Sequence, residues 1–142
     1  VVMKCGLPSV TGPAVRRSSH LASIKTSAMI RISAKATFRD GIGVSSITVA
    51  ELFFGIEKSG SARNRLALQH FLEPLEIADF DMAAAQVYGA VRQQLELSGT
   101  PIGPLDTQIA AHALALGVTL VSNNLREFSR VKSLQLANWV GA

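Results

Sequence analysis

Two carboxylates stand where an acid can do more than solvate a surface. Glu51 lies in "SSITVAELFFG" and Asp106 in "GTPIGPLDTQIAAHALALG", where it is the sole acidic residue, placed after a Pro/Gly-rich turn and at the head of an apolar run. A polar triplet, Ser122-Asn123-Asn124, follows the β-branched run "VTLV". Hard cations take oxygen ligands, and Mg²⁺ commonly uses one or two carboxylates plus waters and substrate phosphates. A cation so held activates water and clamps a phosphodiester. Each of these residues also has an ordinary reading. Glu51 completes a capping box with Thr48, Asp106 complements a helix dipole, and Asn123 and Asn124 are common turn residues. His112, set among alanines, reads as a core or rim histidine, and Phe53 and Phe54 as core and interface. Spacing alone does not choose between these readings.

The elements that must position these residues are legible from about residue 41. "GIGVSS" reads as a short buried strand, and Val49, Leu52, Phe53 and Ile56 then recur at helical spacing, with Thr48 as cap and Gly60 as stop. "RNRLALQHFLEPL" predicts a second helix ending before Pro74, and "LEIADF" a strand. Asp81 caps a third helix whose stripe is Ala84, Tyr88, Val91 and Leu95, with Arg92 and Glu96 paired across one turn and Gly99 as stop. A helix from about Leu105 to Leu116 ends at Gly117. "VTLVS" is a strand, "NNLREF" a turn into a short helix, and "LQLANWV" a last strand. Strands alternating with helices predict an α/β domain with a mainly parallel sheet. In such sheets ligands bind beyond the carboxyl ends of the strands. Glu51 and the Ser122–Asn124 turn meet that rule directly, whereas the link of Asp106 to the same end is less direct.

Length and composition bound the rest. The chain of 142 residues, 48% of them apolar, has the size of one domain with a real core. It shows no apolar run long enough for a membrane span. A single cysteine, Cys5, rules out an intrachain disulfide and a cysteine-based zinc site. There is no G-x-G-x-x-G, no P-loop and no G-x-S-x-G elbow, and the three histidines lack zinc spacing. The net charge of +4 is unevenly spread: residues 1–39 hold seven Lys/Arg, nine Ser/Thr and no Asp or Glu, whereas residues 40–142 hold seven Lys/Arg and ten Asp/Glu. The basic segment suits a nucleic-acid arm, a transit peptide or a translation artefact.

"GVSSITVAELFFGIEKS", "GTPIGPLDTQIAAHALALG" and "LVSNNLREF", in this order, resemble bacterial PIN-domain toxins of the VapC and FitB type, over about 100 of the 142 residues, Ile42 to Val140. The resemblance implies a PIN-like α/β/α sandwich over residues 41–142 and a cytoplasmic bacterial protein. It implies a metal-dependent endoribonuclease, the toxin of a type II toxin–antitoxin pair. RNA would be the substrate, an antitoxin protein the partner, and a homodimer the expected assembly. Glu51 and Asp106 match two of the family's acids that hold Mg²⁺ or Mn²⁺. Asn124 or Asn123 takes the position of the fourth ligand, with Ser122 as a helper.

The chain departs from the family at its start. The family's first strand ends in Asp-Thr-Asn and supplies the first acidic ligand, but no Asp or Glu precedes Asp40 here. Aligning Ser23-Ile24-Lys25 with the family's first helix places Arg16 near that ligand. Loss of one carboxylate should cut metal affinity severely. Gly6, Pro8, Gly12 and Pro13 make "MKCGLPSVTGPAV" a poor central strand. Composition and resemblance break together, which favours a frameshifted segment over residues 1–40. A binding module that keeps the fold without catalysis is the alternative, holding its antitoxin through an apolar groove at Leu52, Phe53 and Phe54.

Overall fold

The computed structural model describes residues 2–4 and 42–138, with only the backbone described for residues 2–4 and Ile42. Arg16 and the rest of the basic segment lie outside the described residues, as do Trp139 and Val140. In chain order the elements are β1 (Val2–Lys4), β2 (Ile42–Ser45), α1 (Ser46–Ser59), α2 (Ala62–Leu72), β3 (Glu76–Ala78), α3 (Met82–Leu97), α4 (Pro104–Leu116), β4 (Thr119–Val121), α5 (Leu125–Phe128) and β5 (Leu136–Ala137). No described helix is long and apolar enough to cross a membrane.

The strands form one sheet in the order β3-β2-β1-β4-β5. β2 pairs with β3 and β4 with β5 in parallel, while β1 is antiparallel to both β2 and β4. Four strands therefore share one direction and β1 opposes them. The α/β expectation holds, with one correction: "VMK" does take the central slot, over three residues and in the reverse sense. The physical reason lies in its neighbours. β2 and β4 each present backbone donors and acceptors to the gap between them, and those groups must be paired. Three residues ahead of Gly6 are enough to pair them.

Helix boundaries follow the local chemistry. The Ser45 hydroxyl accepts the Ile47 N–H at 3.2 Å and caps α1. The expected capping box at Thr48 is therefore corrected. The strand ends three residues earlier, and Thr48 sits inside the helix, fully buried. Ser61 caps α2, and the Asp81 carboxylate caps α3 by accepting the Ala84 N–H at 2.9 Å. Gly60, Gly99 and Gly117 adopt positive φ where their helices stop, a conformation that costs glycine little. The Arg92–Glu96 pair forms at 2.8 Å. The last strand is shorter than the apolar run "LQLANWV" suggests, with only Leu136 and Ala137 paired to β4.

One core joins these elements. Val44 of β2, Leu52 and Ile56 of α1, Leu68 of α2, Val91 and Leu95 of α3, Ile109 to Ala113 of α4, Leu120 of β4 and Phe128 of α5 are all buried within it. α4 packs against both α3 and α1. At 1.5 Å per residue it spans about 20 Å. It then feeds β4 through Gly117, so its first turn lies back at the carboxyl edge of the sheet. The same edge releases α1 after β2 and the Ser122 turn after β4.

Candidate active site

Asp106 is the third residue of α4, behind Gly103 at the N-cap and Pro104 at the first helical position. Its carboxylate folds back over the turn, and a Cβ on Gly103 would lie 3.4 Å from Oδ2. Gly103 thus keeps space beside the acid. The turn is held from below: Thr107 donates from Oγ1 to the Gly103 carbonyl at 2.9 Å, and Arg130 donates from Nη1 to the Pro101 carbonyl at 2.9 Å.

The second acid in this place is one that the sequence reading left out. Glu127 of α5 stands beside Asp106, close enough for its carboxyl to act on the Asp106 carboxyl. Phe128, fully buried, anchors α5 in the core and so holds Glu127 towards the turn. Gln94 of α3 braces the chain beyond α5, accepting the Lys132 N–H at 3.3 Å. Glu51, half-buried on α1, also lies close enough for its charge to act on Asp106. These surroundings raise the Asp106 pKa from 3.8 to about 6, first through burial and then through Glu127 and Glu51. Burial also raises the pKa of Glu51. No described Lys or Arg side chain contributes an opposing charge to the Asp106 shift.

The Ser122–Asn124 turn has a different arrangement from the three acids. Ser122 is buried and its Oγ accepts the Asn124 N–H at 3.0 Å, so its hydroxyl shapes the turn. Asn124 is half-buried at the N-cap of α5 without a side-chain cap bond, and Asn123 is exposed. The side chain from this region that stands beside Asp106 is Glu127. Its position one residue before a core aromatic is the only local signal for it, and that signal becomes readable only once the packing of Phe128 is known.

Beneath the acids lies a buried polar pair. Ser45 Oγ and His112 Nδ1 are 2.9 Å apart, and both residues are about 1% exposed. Ser45 Oγ accepts the Ile47 N–H and has a hydrogen and a second lone pair left to meet Nδ1. Phe80 meets the imidazole edge-on, with ring centroids 5.6 Å apart. Phe80 is itself tied to α1, donating its N–H to Ser46 Oγ at 3.1 Å. His112 Nε2 and Thr48 Oγ1 have no hydrogen-bond partner. Burial lowers the His112 pKa, outweighing the Asp81 charge and the Asp79 backbone and charge, which favour the charged ring.

Three carboxylates from α1, α4 and α5 thus face one end of the sheet, with oxygen donors suited to a hard cation. Their mutual repulsion is what such a cation would relieve. Among the described residues no group of three or more His, Cys, Asp or Glu is arranged to hold a metal ion. The oxygen atoms of the three carboxylates are of the kind that a hard, water-keeping cation takes, and no Asp or Glu of the first 39 residues is there to join them.

The PIN-domain family profile matches residues 21–134. Ribonuclease VapC2 of Haemophilus influenzae is 49% identical over 98 residues, which cover 68% of this chain and 74% of that protein. The tRNA(fMet)-specific endonuclease VapC of Salmonella typhimurium is 43% identical over 97 residues, with the same coverage of each chain. This chain belongs to the PIN-domain family of VapC ribonucleases. Among solved structures, the Rickettsia felis VapBC2 complex bound to a promoter DNA fragment matches with a TM-score of 0.67 and 45% identity, covering 68% of this PIN domain and 74% of that chain. DNA-bound VapBC of Salmonella typhimurium matches with a TM-score of 0.64 and 43% identity, covering 67% and 73%. The family match begins about twenty residues before the resemblance read from the sequence, within the basic segment.

Proposed function

We propose that this PIN domain is a divalent-metal-dependent endoribonuclease, the toxin of a type II pair, and that Glu51, Asp106 and Glu127 form its acidic site, with Asn124 at the rim. The observation that carries this is the convergence of Glu127 and Glu51 on Asp106 without a described Lys or Arg in answer. These residues would hold Mg²⁺ or Mn²⁺, which supplies charge to draw in a phosphodiester and to lower the pKa of a bound water. Asp106, with Glu127 beside it, would orient water at the mouth of the site and take up its proton. Ser122 fixes the turn that presents Asn124 and Glu127. The relatives' names support RNA as substrate and an antitoxin as partner.

A test is cleavage of RNA by the purified protein in Mg²⁺ or Mn²⁺. The expected result is cleavage that EDTA abolishes and that Asp106→Asn lowers at least about a hundredfold, the scale set by loss of one electrostatic catalytic group. Cleavage that survives Asp106→Asn contradicts the assignment.

A second reading, a PIN domain that binds antitoxin without cutting, is favoured by the lack of a complete metal cluster among the described residues. Exposed Phe54 on α1 and Leu66 on α2 support an apolar docking face. Antitoxin binding without EDTA-sensitive cleavage selects it.

A further inference from the structure

We propose that Ser45 and His112 are a positioning pair: their buried hydrogen bond locks α1 against α4 and thereby sets the separation of Glu51 from Asp106. The inference rests on the reading of these two acids as one site.

The geometry is a matter of register. Glu51 lies six residues beyond Ser45 on α1, and Asp106 lies six residues before His112 on α4. Six helical residues rise about 9 Å. The Ser45–His112 bond thus ties the start of α1 to the middle of α4, and each acid lies about two turns along its own helix from that tie. A slip of one residue at the lock shifts one acid along its axis and swings it round the helix.

The bond is specific rather than incidental. Ser45 is held on both sides, capping Ile47 with the same oxygen that meets His112. The imidazole is held by Ser45 at one nitrogen and by the edge of Phe80 on the ring. Phe80 in turn bonds Ser46 at the first residue of α1. The contacts thus close a loop from α4 through β3's exit to α1. The ring also meets the Asp79 backbone beyond the end of β3, so α4 is tied at this point to both α1 and the segment after β3.

The experiment compares wild type with His112→Leu, His112→Asn and His112→Gln. Asparagine offers an acceptor near the place of Nδ1, glutamine near that of Nε2. Mn²⁺ affinity is read from water-proton relaxation, and folding from the thermal midpoint. The expected result is a His112→Leu protein that unfolds no earlier than wild type yet binds Mn²⁺ about tenfold more weakly, the scale for ligand-orienting residues. His112→Asn should return to within about twofold, and His112→Gln should not. Wild-type affinity in His112→Leu, or equal affinity in the asparagine and glutamine variants, overturns the proposal; the second comparison stands if the leucine variant fails to fold. If wild type binds no Mn²⁺, the cation reading of the site fails, and the positioning claim is decided on metal-free protein. Backbone amide signals of Glu51 and Asp106 should then move in His112→Leu and return in His112→Asn; signals that stay in place overturn it.

Discussion

Glu127 stands beside Asp106, bringing the short helix after β4 against the first turn of α4. Burial holds the Asp106 pKa up at about 6, and the neighbouring Glu127 and then Glu51 add to it. The pair is a strained arrangement in the absence of a cation and a useful one in its presence.

Removing the Asp106 charge should stabilise the metal-free fold. The folded pKa of about 6 lies above the unfolded value of 3.8, so the folded state binds more protons between these values. Stability from this group is full below the unfolded value and is lost as pH rises through about 6. The Asp106→Asn protein should therefore unfold at a higher temperature than wild type at pH 7.5, with the gap shrinking towards pH 4. Thermal melts of both proteins across that range check this, and the His112 contribution cancels in the comparison.

Cation stabilisation should show the opposite slope. A metal binds the deprotonated carboxylates, and binding to the folded state raises stability by mass action. Millimolar Mg²⁺ or Mn²⁺ should raise the wild-type melting temperature more at pH 7.5 than at pH 5, and should leave Asp106→Asn unmoved.

Phe128 anchors the helix that carries Glu127. It is fully buried, and Phe128→Ala should cost about 3–5 kcal/mol. Chemical denaturation measures the loss. At a temperature where the variant is still folded, the Asp106 pKa should fall below about 6 as Glu127 drifts away, while burial and Glu51 keep it raised.

Thr48 carries a fully buried hydroxyl without a partner. Replacing it with an isostere that lacks the hydroxyl removes an unmet polar group, which costs about 1–3 kcal/mol when buried. Thr48→Val should raise the unfolding free energy by about 1 kcal/mol in denaturant titration.

Helix stops, the Asp81 cap and the stripe along α3 were legible because each rests on local rules of spacing and glycine conformation. Glu51 and Asp106 were legible as acids at a strand-end helix and a helix head, and the resemblance paired them. What escaped was long-range. "SSIT" offers several hydroxyls as caps, and only the end of β2 picks Ser45 over Thr48. Glu127 is one exposed-looking acid among ten in the chain, and only the burial of its neighbour Phe128 aims it at Asp106. The sense of β1 is set by the strands on either side, which no local pattern encodes.

The composition break around residue 40 carries its own expectation. The neighbouring reading frames of the coding DNA should encode an Asp-Thr-Asn strand ahead of that codon. Sequencing the locus tests it, and three frames without such a strand contradict it.

The most direct measurement is a Mn²⁺ titration followed by carboxyl ¹³C signals. Paramagnetic broadening at substoichiometric Mn²⁺ should remove the signals of Asp106, Glu127 and Glu51 while those of exposed Glu73 and Glu96 persist. Broadening that spreads evenly over all carboxylates, or begins at Glu73 or Glu96, would contradict a cation site built on Asp106.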